Sequence, residues 1–174
     1  MFLNYIKDFF VKKILKNRLQ NVKTIALSNA LQRVGLLIDE SHFSEKEALI
    51  KDLVANGISE NNLKIIVYND KFSKNELSDY PAFGPKLLNW NATITDPKLK
   101  AFIDEKFDLL INYYDIEKAI LVLITRNSKA KIKVGFSTID KRLNYLIIET
   151  KVENHKIFTN ELFKYLKSIK QNIS

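Results

Sequence analysis

Residues 34–38 (VGLLI) form an unbroken apolar run that stops at Asp39 and Glu40. A strand with one wet face would alternate apolar and polar side chains, so a continuous run implies burial on both faces, as in a parallel sheet covered by helices. Strand-like runs recur at 63–68 (LKIIVY), 107–113 (FDLLINY), 131–136 (KIKVGF) and 145–149 (YLIIE). Helical patterns separate them. Strands alternating with helices predict a three-layer, Rossmann-like α/β sandwich with a mostly parallel sheet of five or six strands.

The first helix is expected to start at a capping box, Ser44-Glu45-Lys46-Glu47, and to carry Ala48, Leu49, Leu53 and Val54 inward. Gly57 then ends it, because a residue without Cβ accepts the left-handed conformation after a helix. With the runs at 34–38 and 63–68 this makes a β-α-β unit, whose crossover is right-handed in nearly all proteins. Tyr80-Pro81 and Gly84-Pro85 mark residues 71–90 as loop, with a short strand expected at 87–90. Asp96 before Pro97 is a good helix start, since proline loses nothing at the first helical position, and Leu99, Phe102 and Ile103 would face inward. Further helices are expected over 116–127 and 154–170. The last would turn Ile157, Leu162, Phe163 and Leu166 inward, and Lys164, Lys167 and Lys170 outward.

Charge divides the chain unevenly. Residues 1–33 hold seven Lys/Arg against one acid, so they carry +6 of the formal +8, and residues 34–174 are close to neutral. A basic head on a near-neutral body points to a polyanionic partner. The expected division is a basic amphipathic helix with its connector over 1–32 and a Rossmann-like domain over 33–174. Within residues 2–20, Phe2, Ile6, Phe9 and Phe10 fall on one helical face, and Lys7, Lys12, Lys13, Lys16 and Arg18 supply the charge. Such a helix can lie at an anionic membrane interface, pack on a partner protein or on its own sheet, or follow RNA phosphates. Charges at 7, 8, 12 and 13 interrupt the apolar stretch of about 7–15 residues that a signal peptide needs. A cytoplasmic protein, attached peripherally at the inner membrane if at all, is therefore expected. The absence of cysteine excludes disulfides, thiol nucleophiles and thiolate metal sites.

Three acids follow strands: Asp39, Asp70 and Asp115. Ligands of open α/β sheets bind outside the carboxyl ends of strands, so these acids form a candidate ligand-binding rim. Asp also ends strands for turn geometry alone. The loop after the first strand, Asp39 to Phe43, has no glycine and carries two acids, so it lacks both the dinucleotide fingerprint and the phosphate loop. No catalytic residue, metal site or cofactor motif is identified. His42 is expected at the surface or in a capping role, and His155 at an exposed helix start. Residues 126–133 place Arg126, Lys129, Lys131 and Lys133 close together, with Lys141 and Arg142 following. Such a run contacts phosphates or forms a solvated helix end.

The order FDLLINYYD, apolar helix, KAKIKVGF over 107–136 resembles the amino-terminal half of heptosyltransferase-like GT-B glycosyltransferases, which implies the fold and no catalytic residue. With its basic head and its VGLLIDES and FDLLINYYD segments, the chain also resembles a widespread family of Bacteroidota proteins of unknown function. The expectation is a non-enzymatic α/β binding module held at an anionic surface, membrane interface or ribonucleoprotein, by its basic N-terminal helix. The alternative is a small nucleotide-sugar-binding or glycosyltransferase-like protein using the acids at the strand ends.

Overall fold

The computed structural model describes residues 31–75 and 77–171. The basic helix expected over 2–20, with all nine of its candidate surface-binding residues, lies outside the described residues. Strands β1 (Val34–Asp39), β2 (Leu63–Tyr68), β3 (Ala82–Phe83), β4 (Leu109–Tyr113), β5 (Ile132–Phe136) and β6 (Leu146–Ile148) form one sheet. Its order is β3-β2-β1-β4-β5-β6, and every neighbouring pair is parallel. Four α-helices of the described residues cover it: α1 (Lys46–Ala55), α2 (Pro97–Asp104), α3 (Ala119–Asn127) and α4 (His155–Gln171).

Alternate residues of each strand supply two separate cores. Val34, Leu36 and Ile38 of β1 join Leu109, Ile111 and Tyr113 of β4 against Leu49, Leu53, Phe158 and Leu162 of α1 and α4. Leu37, Ile66 and Leu110 point the other way, onto Phe102, Ile120, Leu121 and Ile124 of α2 and α3. The unit β1-α1-β2 advances in one direction with its helix on the first face. The unit β4-α3-β5 advances in the opposite direction with its helix on the second face, which is the double winding that a single crossover hand produces.

Helix ends follow local chemistry where that chemistry is sufficient. Gly57 has φ of 113°, its amide bonds to Val54 O at 3.0 Å, and Ile58 N bonds to Leu53 O at 3.2 Å. These two bonds close α1 in a Schellman motif, with Leu53 and Ile58 in the same core. Asp96 caps α2 by accepting from Lys98 N and Leu99 N, both at 3.0 Å. The start of α1 departs from expectation. Its N-cap is Glu45, without a side-chain cap, and the Glu47 carboxylate instead accepts from the Tyr80 hydroxyl at 3.3 Å. The helix begins one residue late for a Ser44–Glu47 box, so the two side chains lose their reciprocal positions.

Three further expectations are corrected. The strand expected at 87–90 is replaced by β3, eight residues before Trp90, which is 98% exposed. Proline is tolerated around β3 because Val67 N and Asn69 N donate to the carbonyls of Pro81 and Phe83, so this edge needs no proline N–H. Ile157 is half-exposed, its place at the start of the inward stripe of α4 taken by His155 and Phe158, while Leu162, Phe163 and the partly buried Leu166 face inward as expected. His155 is accordingly buried, with Nδ1 2.7 Å from Asp52 Oδ2 on α1 and Nε2 3.6 Å from Glu45. It ties α4 to α1.

The crossover from β5 to β6, residues 137–145, contains no helix and lies directly on the sheet. Asn144 fills the space a helix would have taken, and its Oδ1 accepts from Asn112 Nδ2 at 2.8 Å. Asn112 Oδ1 accepts from Thr125 Oγ1 at 3.0 Å, and Thr125 shares a 2.8 Å bond with the Tyr114 hydroxyl. A Cβ on Gly135 would collide with the Asn144 amide, so glycine is required beneath this network. Gly135→Ala is expected to destabilise the fold by about 1–3 kcal/mol through overpacking. Gly57→Ala meets no heavy atom within 4 Å but keeps a positive φ, and should cost about 1 kcal/mol. Urea unfolding midpoints of the two variants check both values; equal, near-zero shifts would contradict this account.

Candidate functional site

The sheet order reverses between β1 and β4, and in open α/β folds the crevice beyond that point is the usual ligand site. Here it is bridged. Asp39 ends β1, and its register partner Tyr68 ends β2, two residues before Asp70. Lys118, from the segment joining β4 to α3, reaches across the crevice to both acids. Its Nζ lies 2.7 Å from Asp39 Oδ2 and 2.8 Å from Asp70 Oδ2. The same ammonium sits 4.9 Å from the centroid of the Tyr68 ring, and the Tyr68 hydroxyl donates to Asp70 Oδ1 at 2.7 Å. Ser41 ties the loop down: its amide donates to Asp39 Oδ1 at 2.9 Å, and its hydroxyl accepts from Asp70 N at 2.9 Å.

The electrostatics favour the fully ionised bridge. The Lys118 and Tyr68 hydrogen bonds hold the Asp70 carboxyl below the usual carboxylate range, in that order of strength. Burial alone would push the Lys118 ammonium down, but its bonds to Asp39 and Asp70 outweigh burial and raise it. Burial, followed by the Asp70 bond, pushes the Tyr68 hydroxyl up. A second pair lies alongside, with Lys46 Nζ 2.6 Å from Glu40 Oε2 and Asn69 Nδ2 donating to Glu40 Oε1 at 3.3 Å. The first residue of α1, Lys46, is thus paired with Glu40 at the helix end where nucleotide-binding folds of this kind hold a phosphate.

Asp39 is the last residue of β1, Asp70 and Asp115 each follow the end of their strand, and the tertiary structure joins two of the three. Asp115 follows β4, its carbonyl accepts from Thr138 Oγ1 at 2.8 Å, and its carboxylate takes no part in the Lys118 bridge. His42 is exposed on the β1–α1 loop. Among the described residues, no group of three or more His, Asp or Glu side chains is placed to hold a metal ion. No helix of the described residues is long and apolar enough to cross a membrane. A cavity of about 400 Å³ adjoins the rim, bounded by Asp70, Phe72, Gly84 and Lys86.

Lys118 was not among the residues singled out by sequence, although one signal was available. It is the N-cap of α3, a position that favours Ser, Thr, Asp or Asn and repels cations through the helix dipole. A lysine there is costly unless carboxylates meet it, and the two strand-end acids do.

The fold and this end of the sheet define a Rossmann-like, doubly wound α/β protein whose ligand-side crevice is spanned by an internal ion bridge. Residues 7–169 match a family of unknown function, DUF6913, and the chain belongs to that family. No curated protein and no solved structure matches the chain.

Lys118→Gln leaves Asp39, which is 7% exposed, beside Asp70 without the cation between them. The expected loss is about 2–3 kcal/mol, less than for a fully buried pair because Asp70 is partly solvated. The sign with pH follows from the lowered Asp70 pKa. Its stabilisation is fully present above the unfolded value of about 4 and disappears as pH falls through the lower folded value. Urea unfolding of the wild type and Lys118→Gln, from neutral pH down into this range, should show the gap between them narrowing with acid. A constant gap would sink the assignment.

Proposed function

We propose that the chain is a non-enzymatic α/β binding module that associates with an anionic surface through its basic N-terminal segment. One observation carries this reading: six of the eight excess positive charges fall in residues 1–33. Lysines and arginines clustered in this way gain affinity by releasing counterions from a polyanion, independently of its sequence. Two features of the described residues support it. The acids at the ligand end of the sheet neutralise Lys118 and Lys46, and the loop after β1 offers two acids and no glycine to an incoming phosphate.

The second reading is a small nucleotide-sugar-binding or glycosyltransferase-like protein working at the Asp39, Asp70 and Asp115 rim. The cavity beside Asp70 favours it, as does the resemblance of residues 107–136 to the amino-terminal half of heptosyltransferase-like GT-B glycosyltransferases. The resemblance to a Bacteroidota family makes a bacterial source part of either reading. A cytoplasmic location with peripheral attachment at the inner membrane goes with the first.

Sedimentation of the full-length protein with anionic vesicles, and separately with RNA, tests the first reading at low and high salt. The wild type should sediment with one of them at low salt and be released at high salt. A full-length variant with Lys7, Lys12, Lys13, Lys16 and Arg18 all changed to Gln should stay in the supernatant. If the wild type remains unattached to both at low salt, the reading fails. A thermal shift with sugar nucleotides that disappears in Asp39→Ala would transfer support to the second reading, because a ligand of the native state stabilises it by mass action.

A further inference from the structure

Beyond the carboxyl ends of β2 and β3, two tight turns bound a cavity of about 400 Å³. The first turn follows β2. Phe72 N donates to Asn69 O at 3.1 Å, and Lys71 N donates to Asn69 Oδ1 at 2.8 Å. The second follows β3, where Leu87 N donates to Gly84 O at 3.3 Å in the single 3₁₀ turn Pro85–Leu87. Asn69 N donates to Phe83 O at 3.0 Å and holds the two turns together. Gly84 lets them close. A Cβ there would meet Phe72 Cβ at 2.8 Å and the Asn69 carbonyl oxygen at 3.2 Å.

Asp70, Phe72, Ser73 and Lys74 line the cavity from the first segment, and Lys86 and Leu87 from the second. Its cations differ from those of the neighbouring rim. Lys118 and Lys46 are each held by carboxylates, whereas no carboxylate among the described residues pairs with Lys74 or Lys86. Among the described residues, the acid in the wall is Asp70, whose oxygens already accept from the Tyr68 hydroxyl and from Lys118. An ionised carboxylate has about four acceptor sites, so Asp70 keeps room for a further donor. Phe72 and Leu87, both half-buried, add an apolar surface.

We propose that this cavity binds a nucleoside 5′-monophosphate, free or as the head of a sugar nucleotide. Three kinds of group hold such a molecule, and all three line this one space. The base packs on Phe72 and Leu87, because every base has a flat face that suits an aromatic or apolar side chain. Lys74 and Lys86 meet the phosphate as compact charges, and the Asp70 carboxylate accepts from a hydroxyl of the sugar. The volume is in the lower part of the range for ligand sites, about 300–1,000 Å³, so it suits a mononucleotide and is too tight for a dinucleotide. The proposal rests on the second reading for its place at the ligand end of the sheet, and it narrows that reading's ligand to the part the cavity holds.

The test is calorimetric titration of the full-length protein with uridine and adenosine 5′-monophosphates, the two free nucleosides and inorganic phosphate. Saturable one-to-one binding of at least one monophosphate is expected, with its nucleoside and inorganic phosphate both weaker. Lys74→Gln with Lys86→Gln should weaken it by about tenfold or more, the effect of removing charge-assisted hydrogen bonds. Both lysines are exposed, so the melting temperature of the free variant should match the wild type. Lys98→Gln with Lys100→Gln, exposed on α2, should bind as the wild type does. The proposal is overturned if no monophosphate binds saturably, if inorganic phosphate binds as tightly, or if the α2 control weakens binding equally. A sugar-nucleotide thermal shift that disappears in Asp39→Ala but persists in the lysine variant also overturns it, while leaving the second reading in place. Monophosphate binding that is lost in the lysine variant, without any response to sugar nucleotides, supports the cavity and removes the sugar from that reading.

Discussion

β1 is hydrogen-bonded to a parallel neighbour on each edge and buried on both faces. Every other element takes its position from that strand. Its peptide groups can be satisfied only if β2 and β4 flank it, because a buried unpaired amide or carbonyl costs about as much as a lost hydrogen bond. Its side chains can be kept from water only if helices lie on both sides. Val34, Leu36 and Ile38 therefore require α1 and α4, and Leu37 requires α2 and α3. Two crossovers leaving β1 and β4 in opposite directions place the crevice between those strands.

In most folds of this type that crevice is left for a ligand. Here three side chains from three separate segments occupy it. Lys118 lies at a helix start, where the dipole disfavours a cation, and Asp39 is almost wholly buried, where a lone carboxylate would be costly. Each defect is offset by the other. The bridge fastens the β4–α3 segment to the ends of β1 and β2, so the usual ligand end becomes a structural joint.

Legibility in the sequence tracked the range of the interaction. The Schellman stop at Gly57 and the Asp96-Pro97 start of α2 depend on a few adjacent residues, and both could be read directly. The Ser44 capping box also looked local, but the start of α1 moved by one residue and left Ser44 outside. His155 was misplaced at the surface because its burial depends on Asp52, more than a hundred positions earlier in the chain. Periodicity placed Leu162, Phe163 and Leu166 of α4 inward, where they are, but also turned Ile157 inward where Phe158 is the buried residue. Which of two neighbouring faces is buried depends on the shape of the sheet beneath, and that shape is absent from the helix's own sequence.

The apolar runs by themselves determined a covered, largely parallel sheet, because strands apolar on both sides have few other stable arrangements. They also determined that three acids would stand at the carboxyl ends of strands, and the charged residues themselves place six of the eight excess positive charges in residues 1–33. Only the tertiary structure decided that Asp39 and Asp70 share one lysine while Asp115 stands apart, and that Lys74 and Lys86 line one cavity. The physical reason is common to both. Hydrophobic burial is non-directional and leaves a periodic trace along the chain, whereas an ion bridge or a charged cavity requires a few side chains from distant segments to meet within ångströms.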